Sequence, residues 1–314
     1  MKDAPGPTAQ RPSGTDSPSG LSYAYYTGCV AKESTRELDV ATRVVCDALG
    51  IELHEMLAAP CCGAGDVHEI APHLNSAVNA LTLAQAEREG RDVLTICNVC
   101  NLNLRQVNDE LRGDAAALER ANRALSAAGY SYRGEVEVTH LLWVLYRDFG
   151  VGRLRAAVRR PLRGLKVAPF YGCQVLRPST LNPVDDPDNP GSLEEIIGAL
   201  GAQPVSYAER TSCCGFPIVV AREDTALGMS GKILAGAKSA GADAIVTPCP
   251  LCHLSLDGYQ DKAELVVGDE LRLPILHLPQ LVGLALGLPP RSLGLHKHVV
   301  PTGTLLSRLG LTLE

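Results

Sequence analysis

Val93-Leu-Thr-Ile-Cys-Asn-Val-Cys100 and Ile245-Val-Thr-Pro-Cys-Pro-Leu-Cys252 stand 152 residues apart and share one pattern, an apolar run closed by Cys-x-x-Cys. The match extends outward in both directions. Cys61-Cys-Gly63 and Cys213-Cys-Gly215 keep the offset of 152, whereas Cys29 and Cys173 differ by 144. One insertion of eight residues in the second half accounts for the change, and the Pro/Asp-rich stretch Asn182-Pro-Val-Asp-Asp-Pro-Asp-Asn-Pro190 lies where it must be. Leu21-Ser-Tyr-Ala-Tyr-Tyr-Thr-Gly-Cys29 matches Leu165-Lys-Val-Ala-Pro-Phe-Tyr-Gly-Cys173, and Val136-Glu-Val-Thr-His-Leu-Leu142 matches Leu273-Pro-Ile-Leu-His-Leu-Pro279. The chain is a duplication.

Each half carries the same order of elements. A short apolar run (about 21–27, about 165–171) reads as a buried strand ending at Gly-Cys. A periodic segment follows, Thr35 to Leu49 and Ser192 to Leu200, each closed by a glycine, as helices often are. Then come the Cys-Cys-Gly loop, a longer helix (about 74–89, about 224–239), and a strand (about 92–96, about 243–247) that ends at Cys-x-x-Cys. Alternating strands and helices predict an α/β fold of two pseudo-twofold-related, Rossmann-like βαβ halves. The boundaries expected are a disordered leader at 1–20, a first domain at 21–160 with a helical linker at about 104–130, a second at 161–300, and a tail at 301–314. Ligands of parallel sheets sit at the carboxyl ends of the strands, and Cys29, Cys97, Cys173 and Cys249 fall there.

Composition narrows the function classes. The chain has 314 residues, 46% apolar and 20% charged, the balance of a globular protein with real cores. Net charge is −6 with no Lys/Arg stripe, which argues against nucleic acid as a partner. The Pro/Ser/Gly/Thr-rich start has no apolar signal region, so the expected compartment is the reducing cytoplasm. Eleven cysteines there point to metal binding or redox chemistry, not a disulfide framework.

Five cysteines repeat in each half: Cys29, Cys61, Cys62, Cys97 and Cys100, and Cys173, Cys213, Cys214, Cys249 and Cys252. Thiolates are soft ligands, suited to zinc or iron–sulfur clusters. A tetrahedral zinc would leave one thiol over, whereas five sulfurs, two of them adjacent, suit a multi-iron centre. The spacing C-x(31)-C-C-G-x(33)-C-x-x-C, followed by C-x(39)-C-C-G-x(33)-C-x-x-C, resembles the cysteine-rich CCG domain of the heterodisulfide reductase B-subunit family, over about 21–298. The resemblance implies two noncubane [4Fe–4S] clusters, each held by all five cysteines of one half, with a thiol/disulfide substrate meeting them in the cleft between. It also implies a catalytic oxidoreductase subunit within a complex. No ferredoxin-type cysteine run is found, so a ferredoxin-like iron–sulfur subunit, with a flavoprotein behind it, is the expected partner. Related CCG proteins serve succinate and fumarate enzymes. The rival expectation is therefore an electron-transfer subunit linking a dehydrogenase to a quinone pool, docked peripherally at the membrane by the apolar Leu281–Leu288 segment or through a partner.

Other readings of the same residues carry less. A thioredoxin-like pair leaves the Cys-Cys-Gly triplets unexplained. Cys249-Pro-Leu-Cys252-His253 also fits a haem c attachment, but the first half lacks the histidine. Gly63-Ala-Gly65 is only a fragment of a phosphate loop. Cys46 lies at helical spacing among Val44, Val45 and Leu49 and reads as an inert core thiol. His140 and His277 read as caps between a strand and a helix. His253, beside a ligand cysteine where the first half has Asn101, is the candidate catalytic proton donor. Phe216-Pro217, opposite Ala64-Gly65, is expected to shield the second cluster and make it the one that faces substrate.

Overall fold

Two four-stranded parallel sheets form, one from each half, and the computed structural model describes residues 19–313. All but the last two residues of the expected leader lie outside that range. In the first sheet β1 (Ser22–Tyr26), β2 (Glu52–Glu55), β3 (Val93–Thr95) and β4 (Val138–His140) are ordered β2-β1-β3-β4. In the second, β5 (Lys166–Pro169), β6 (Gln203–Pro204), β7 (Ala244–Thr247) and β8 (Ile275–His277) are ordered β6-β5-β7-β8. The register repeats too: Tyr26 pairs with Thr95 and Thr95 with His140, as Pro169 pairs with Val246 and Thr247 with His277. The short edge strands β2 and β6 carry little apolar signal and are not legible in the sequence. The central strands are, because they are buried on both faces and read as continuous apolar runs.

Helices fall close to where periodicity puts them. Arg36–Ala48 buries Leu38, Ala41 and Val45, one stripe at helical spacing. The long helices run Pro72–Arg88 and Glu223–Ser239. The expected linker is two helices, Asn98–Gly113 and Ala115–Ser126, broken at Asp114, whose carboxylate accepts the Ala116 N–H at 2.8 Å and caps the second.

The two halves are interleaved. The Leu278–Ala285 helix of the second half has every residue buried and packs on Arg36–Ala48 of the first. Reciprocally, Val151–Ala157 of the first packs on Ser192–Ala199 of the second. One core therefore holds Leu38 and Val45 of the first half together with Ile196, Ile197, Leu281 and Leu293 of the second. This burial removes the apolar 281–288 segment as a docking face. The expected tail is also part of this core: Gly303–Arg308 is a helix that buries Leu305 and Leu306. Along the described residues no helix is long and apolar enough to cross a membrane.

The inserted loop of the second half reaches across to the first. Asn182 Oδ1 accepts from Asn101 Nδ2 at 3.1 Å, and Arg105 donates to the Leu181 carbonyl. Asp185 accepts the Gly191 and Ser192 N–H groups and so anchors the start of the 192–199 helix.

Candidate metal centres

A parallel sheet has a crevice where strand order reverses, because the connections on either side leave in opposite directions. In the order β2-β1-β3-β4 that point lies between β1 and β3, and Cys29 and Cys97 follow those two strands directly. Cys173 and Cys249 follow β5 and β7 at the equivalent point of the second sheet. The Cys-Cys-Gly loops close over the same crevices. Cys61 Sγ stands 3.7 Å from Cys29 Sγ, and Cys62 Sγ 3.5 Å from Cys100 Sγ. All ten repeated cysteines are free thiols, and each set of five is gathered within its own half.

Glycine permits the close approach. Gly28 and Gly172 have φ of +78° and +68°, and a Cβ there would stand 3.3 Å from Cys100 Sγ and 2.9 Å from Cys252 Sγ. Only a residue without Cβ lets the strand end turn this tightly over the Cys-x-x-Cys helix.

The electrostatics of each set favour metal. Hydrogen bonds from Cys29 and Cys62 draw Cys61 down to about 2, and Cys173 and Cys214 do the same for Cys213. Their partners shift in the opposite direction: Cys29 and Cys173 are pushed up, chiefly by the hydrogen bond to Cys61 or Cys213 and by burial. Cys97 and Cys249, one from each set, also perturb each other's ionisation, so the two sets meet at the boundary between the halves. No charged side chain lines the two cavities in which these sulfurs lie. Cys29 and Cys61 also line a third cavity, of about 190 Å³, lined by both Lys32 and the acidic Glu33, and five thiols crowded at one point fit soft metal ions as their counter-charge.

The two cavities share a wall, made by Val99 and Leu251. The first measures about 220 Å³ and the second about 30 Å³. Cys29 and Cys61 are exposed, Cys173 and Cys213 only partly so. The second set is thus the more shielded, as expected, but not for the expected reason. Phe216 lines the first cavity, together with Ala64 and Pro250, and only Pro217 lines the second.

His253 is placed away from this cleft. It is buried, lines neither cavity, and its Nε2 faces the Ile275 carbonyl at 3.2 Å and His298 Nδ1 at 3.3 Å. Burial and the neighbouring His277 and His298 hold it well below the usual histidine range, so it stays neutral. Its counterpart Asn101 bonds Asn182 and likewise does not reach the sulfurs' cavity. Glu37, His253 and His277 gather residue types that bind metals, but the two imidazoles are stacked, 3.8 Å apart and 19° from parallel. Lone pairs in nearly parallel planes do not converge on one ion.

His140, His277 and Cys46 stand in the packing where the sequence puts them. His140 Nδ1 accepts the Leu142 N–H at 3.0 Å, and the Gln280 side chain accepts the His277 N–H at 2.9 Å, so both histidines sit at helix caps. Cys46 is fully buried, its thiol pushed up to about 12 by burial. The residues that do set the two cavities apart are Asn98 and Gln174 on the second, against Pro250 and Val30 on the first. Aligning the repeats in sequence reveals these differences, but not which of them face a cavity.

A family model for the cysteine-rich CCG domain matches residues 23–105 and again 167–257. The chain belongs to the CCG cysteine-rich domain family. This CCG chain is 41% identical over 278 residues to the 8-methylmenaquinol:fumarate reductase membrane anchor subunit of Wolinella succinogenes, covering 88% of its own length and 96% of the relative's. It is 32% identical over 287 residues to the B-subunit of a ferredoxin/F(420)H(2)-dependent CoB-CoM heterodisulfide reductase of Methanosarcina acetivorans, covering 90% and 95%. A protein of Archaeoglobus profundus described as similar to the heterodisulfide reductase B-subunit is 30% identical over 275 residues, covering 86% and 92%. Among solved structures, a hypothetical protein from Helicobacter pylori superposes with a TM-score of 0.73 at 16% identity, over 89% of the CCG chain and 52% of that protein, a likeness of fold. The family and its relatives make this CCG chain an iron–sulfur redox protein of the heterodisulfide reductase B-subunit type.

Proposed function

We propose that this chain is the cluster-bearing subunit of a multi-subunit reductase, holding one noncubane [4Fe–4S] cluster in each five-cysteine set and exchanging electrons with a neutral quinol-type couple at the cleft between the halves. The observation that carries the reading is the gathering of two five-sulfur sets at adjoining switch points, walled by apolar and uncharged residues. Cys29, Cys61, Cys62, Cys97 and Cys100 would hold the first cluster, and Cys173, Cys213, Cys214, Cys249 and Cys252 the second. When bound, these clusters supply one-electron steps. The protein's own part is to wall the two centres from each other with Val99 and Leu251, to shield the second more than the first, and to place them against each other through Cys97 and Cys249. With no ferredoxin-type cysteine run in the chain, electrons leave to a partner subunit carrying such clusters. A flavoprotein stands beyond it, in the cytoplasm, and contact with a membrane is peripheral through these partners.

The thiol/disulfide couple is the second reading, supported by the relatives named for the heterodisulfide reductase B-subunit. The two cavities that hold all ten sulfurs are uncharged and suit a neutral quinol, while Lys32, in the third cavity beside Cys29 and Cys61, is accompanied there by the acidic Glu33. The relative at 41% identity is named for a menaquinol. The test is anaerobic reconstitution, with about eight iron and eight acid-labile sulfide expected per chain. It is followed by cluster reduction with a naphthoquinol and, separately, disulfide cleavage with a reduced viologen. Zinc without sulfide would defeat the cluster assignment. Disulfide turnover without any response to quinol would decide for the second reading.

A further inference from the structure

Asn103 and Ser255 each stand three residues past the last cysteine of their Cys-x-x-Cys, 152 residues apart and in step with the repeat. Neither is a sulfur ligand, and both are buried. Their side chains nevertheless reach the same backbone atom of each half. Asn103 Nδ2 donates to the Cys62 carbonyl at 2.6 Å, and Ser255 Oγ donates to the Cys214 carbonyl at 2.6 Å. The peptide held in this way carries the next N–H on its other side, and that N–H points at sulfur. Gly63 N–H donates to Cys61 Sγ, and Gly215 N–H to Cys213 Sγ, each at 3.5 Å.

The two halves load this peptide differently. The Cys62 carbonyl takes a second buried donor, Asn79 Nδ2 at 2.8 Å, so both of its lone pairs are used. Flipping Asn79 or Asn103 would set an amide oxygen against that carbonyl, which fixes both orientations. Asn75 braces the pair: its Oδ1 accepts from Asn103 Nδ2 at 3.0 Å, and its Nδ2 donates to Asn103 Oδ1 at 3.2 Å and faces His68 Nδ1 at 3.2 Å. At the same offset of 152 the second half has Val220, Leu227 and Gly231 in place of His68, Asn75 and Asn79. Val267 packs where a Cβ of Gly231 would stand, which leaves no room for an amide there. The first peptide is thus held by a ladder of amides, the second by one hydroxyl.

Donors on a carbonyl polarise the peptide and make its N–H a stronger donor in turn. A cluster that takes one electron gains one negative charge, and hydrogen bonds to its sulfurs stabilise that form and raise its reduction potential. We propose that Asn79 and Asn103 in the first half, and Ser255 in the second, are positioning residues that aim the Gly63 and Gly215 N–H groups at Cys61 and Cys213 and set the two potentials apart, the first centre being the easier to reduce. This rests on the cluster assignment above and adds to it a direction: an electron shared by the two centres settles on the first. The exposure of Cys29 and Cys61 acts the same way, because water also stabilises the added charge.

The test is an anaerobic reductive titration of the full reconstituted chain followed by EPR, with no substrate and no turnover. Cys61→Ala and Cys213→Ala assign the two signals. The first centre is expected at the higher potential. Ser255→Ala should lower the second centre's potential and widen the gap, whereas Asn103→Ala should lower the first and narrow it. Each should cut the reduced-to-oxidised ratio of its own centre at a fixed poise by about threefold, with iron content retained. Asn103→Ser, which supplies the hydroxyl found at 255, should recover most of the loss. Should Asn103→Ala fail to fold for want of its pairing with Asn75, Ser255→Ala alone carries the comparison. An unmoved potential in Ser255→Ala with full iron, or a second centre at the higher potential in the unmodified chain, overturns the assignment and leaves the cluster reading standing. Failure of the unmodified chain to take up iron and sulfide overturns the two together.

Discussion

His253 lies flat on His277, ring centroids 3.8 Å apart and planes within 19° of each other. The stack turns the ring beside Cys252 away from the cleft and into the seam between the halves, where Glu37 of the first half meets His277 Nε2 at 3.3 Å. A neutral, stacked imidazole has no proton to give at the sulfurs. His253→Asn should therefore leave cluster content and turnover within about threefold of the unmodified chain, well short of the roughly hundredfold loss of a general acid. It should lower stability by about 1–3 kcal/mol through lost stacking and a lost buried hydrogen bond. Turnover and denaturant unfolding on the same preparation separate the two effects.

Gly172→Ala should empty the second centre. Its Cβ would stand 2.9 Å from Cys252 Sγ, at a φ of +68°, so both backbone strain and the loss of sulfur placement apply. Iron should fall from about eight to about four per chain after reconstitution. Gly20→Ala, at φ +74° with nothing within 4 Å, isolates the strain and should cost about 1 kcal/mol with full iron.

Cys61→Ala and Cys213→Ala should each alter one cluster's EPR signal and spare the other, because each half supplies its own five sulfurs. The Cys97–Cys249 contact adds a refinement: loss of either of these two should also shift the signal of the surviving cluster. Loss of both signals from Cys61→Ala in folded protein would contradict independent sites.

Stability should fall on mild acidification. Burial depresses His140 and His298 to about 4, and His253 and His277 are lowered as well. Each is neutral when folded and takes up a proton on unfolding below its usual value of 6.5. Their contribution is complete above that pH and is lost as pH falls through the folded values. Asp257, raised by burial to about 6, and Glu37, also raised, oppose this but are fewer. The denaturant midpoint should drop steadily from about pH 7 to about 4.5, and less steeply in His140→Gln. A flat profile would show that the histidines are not held neutral.

The repeat by itself determined the duplication, the α/β halves, the ten ligand candidates and the capping histidines. Cysteines at fixed spacing after apolar strands leave few arrangements, because a strand that ends at the switch point must deliver its next residue to the crevice. The edge strands β2 and β6 escaped because they are short and polar on one side, so no period marks them. Only the tertiary structure decided which non-repeated residues face which centre. Asn101 and His253 differ in sequence and turn into packing, Phe216 covers the other half's cavity, and Asn98 crosses the boundary to Tyr171. Such choices depend on how the Cys-x-x-Cys helices lean across the seam and on the exchange of the 278–285 and 151–157 helices between halves. Both are set by packing between residues far apart in the chain, which local sequence does not encode.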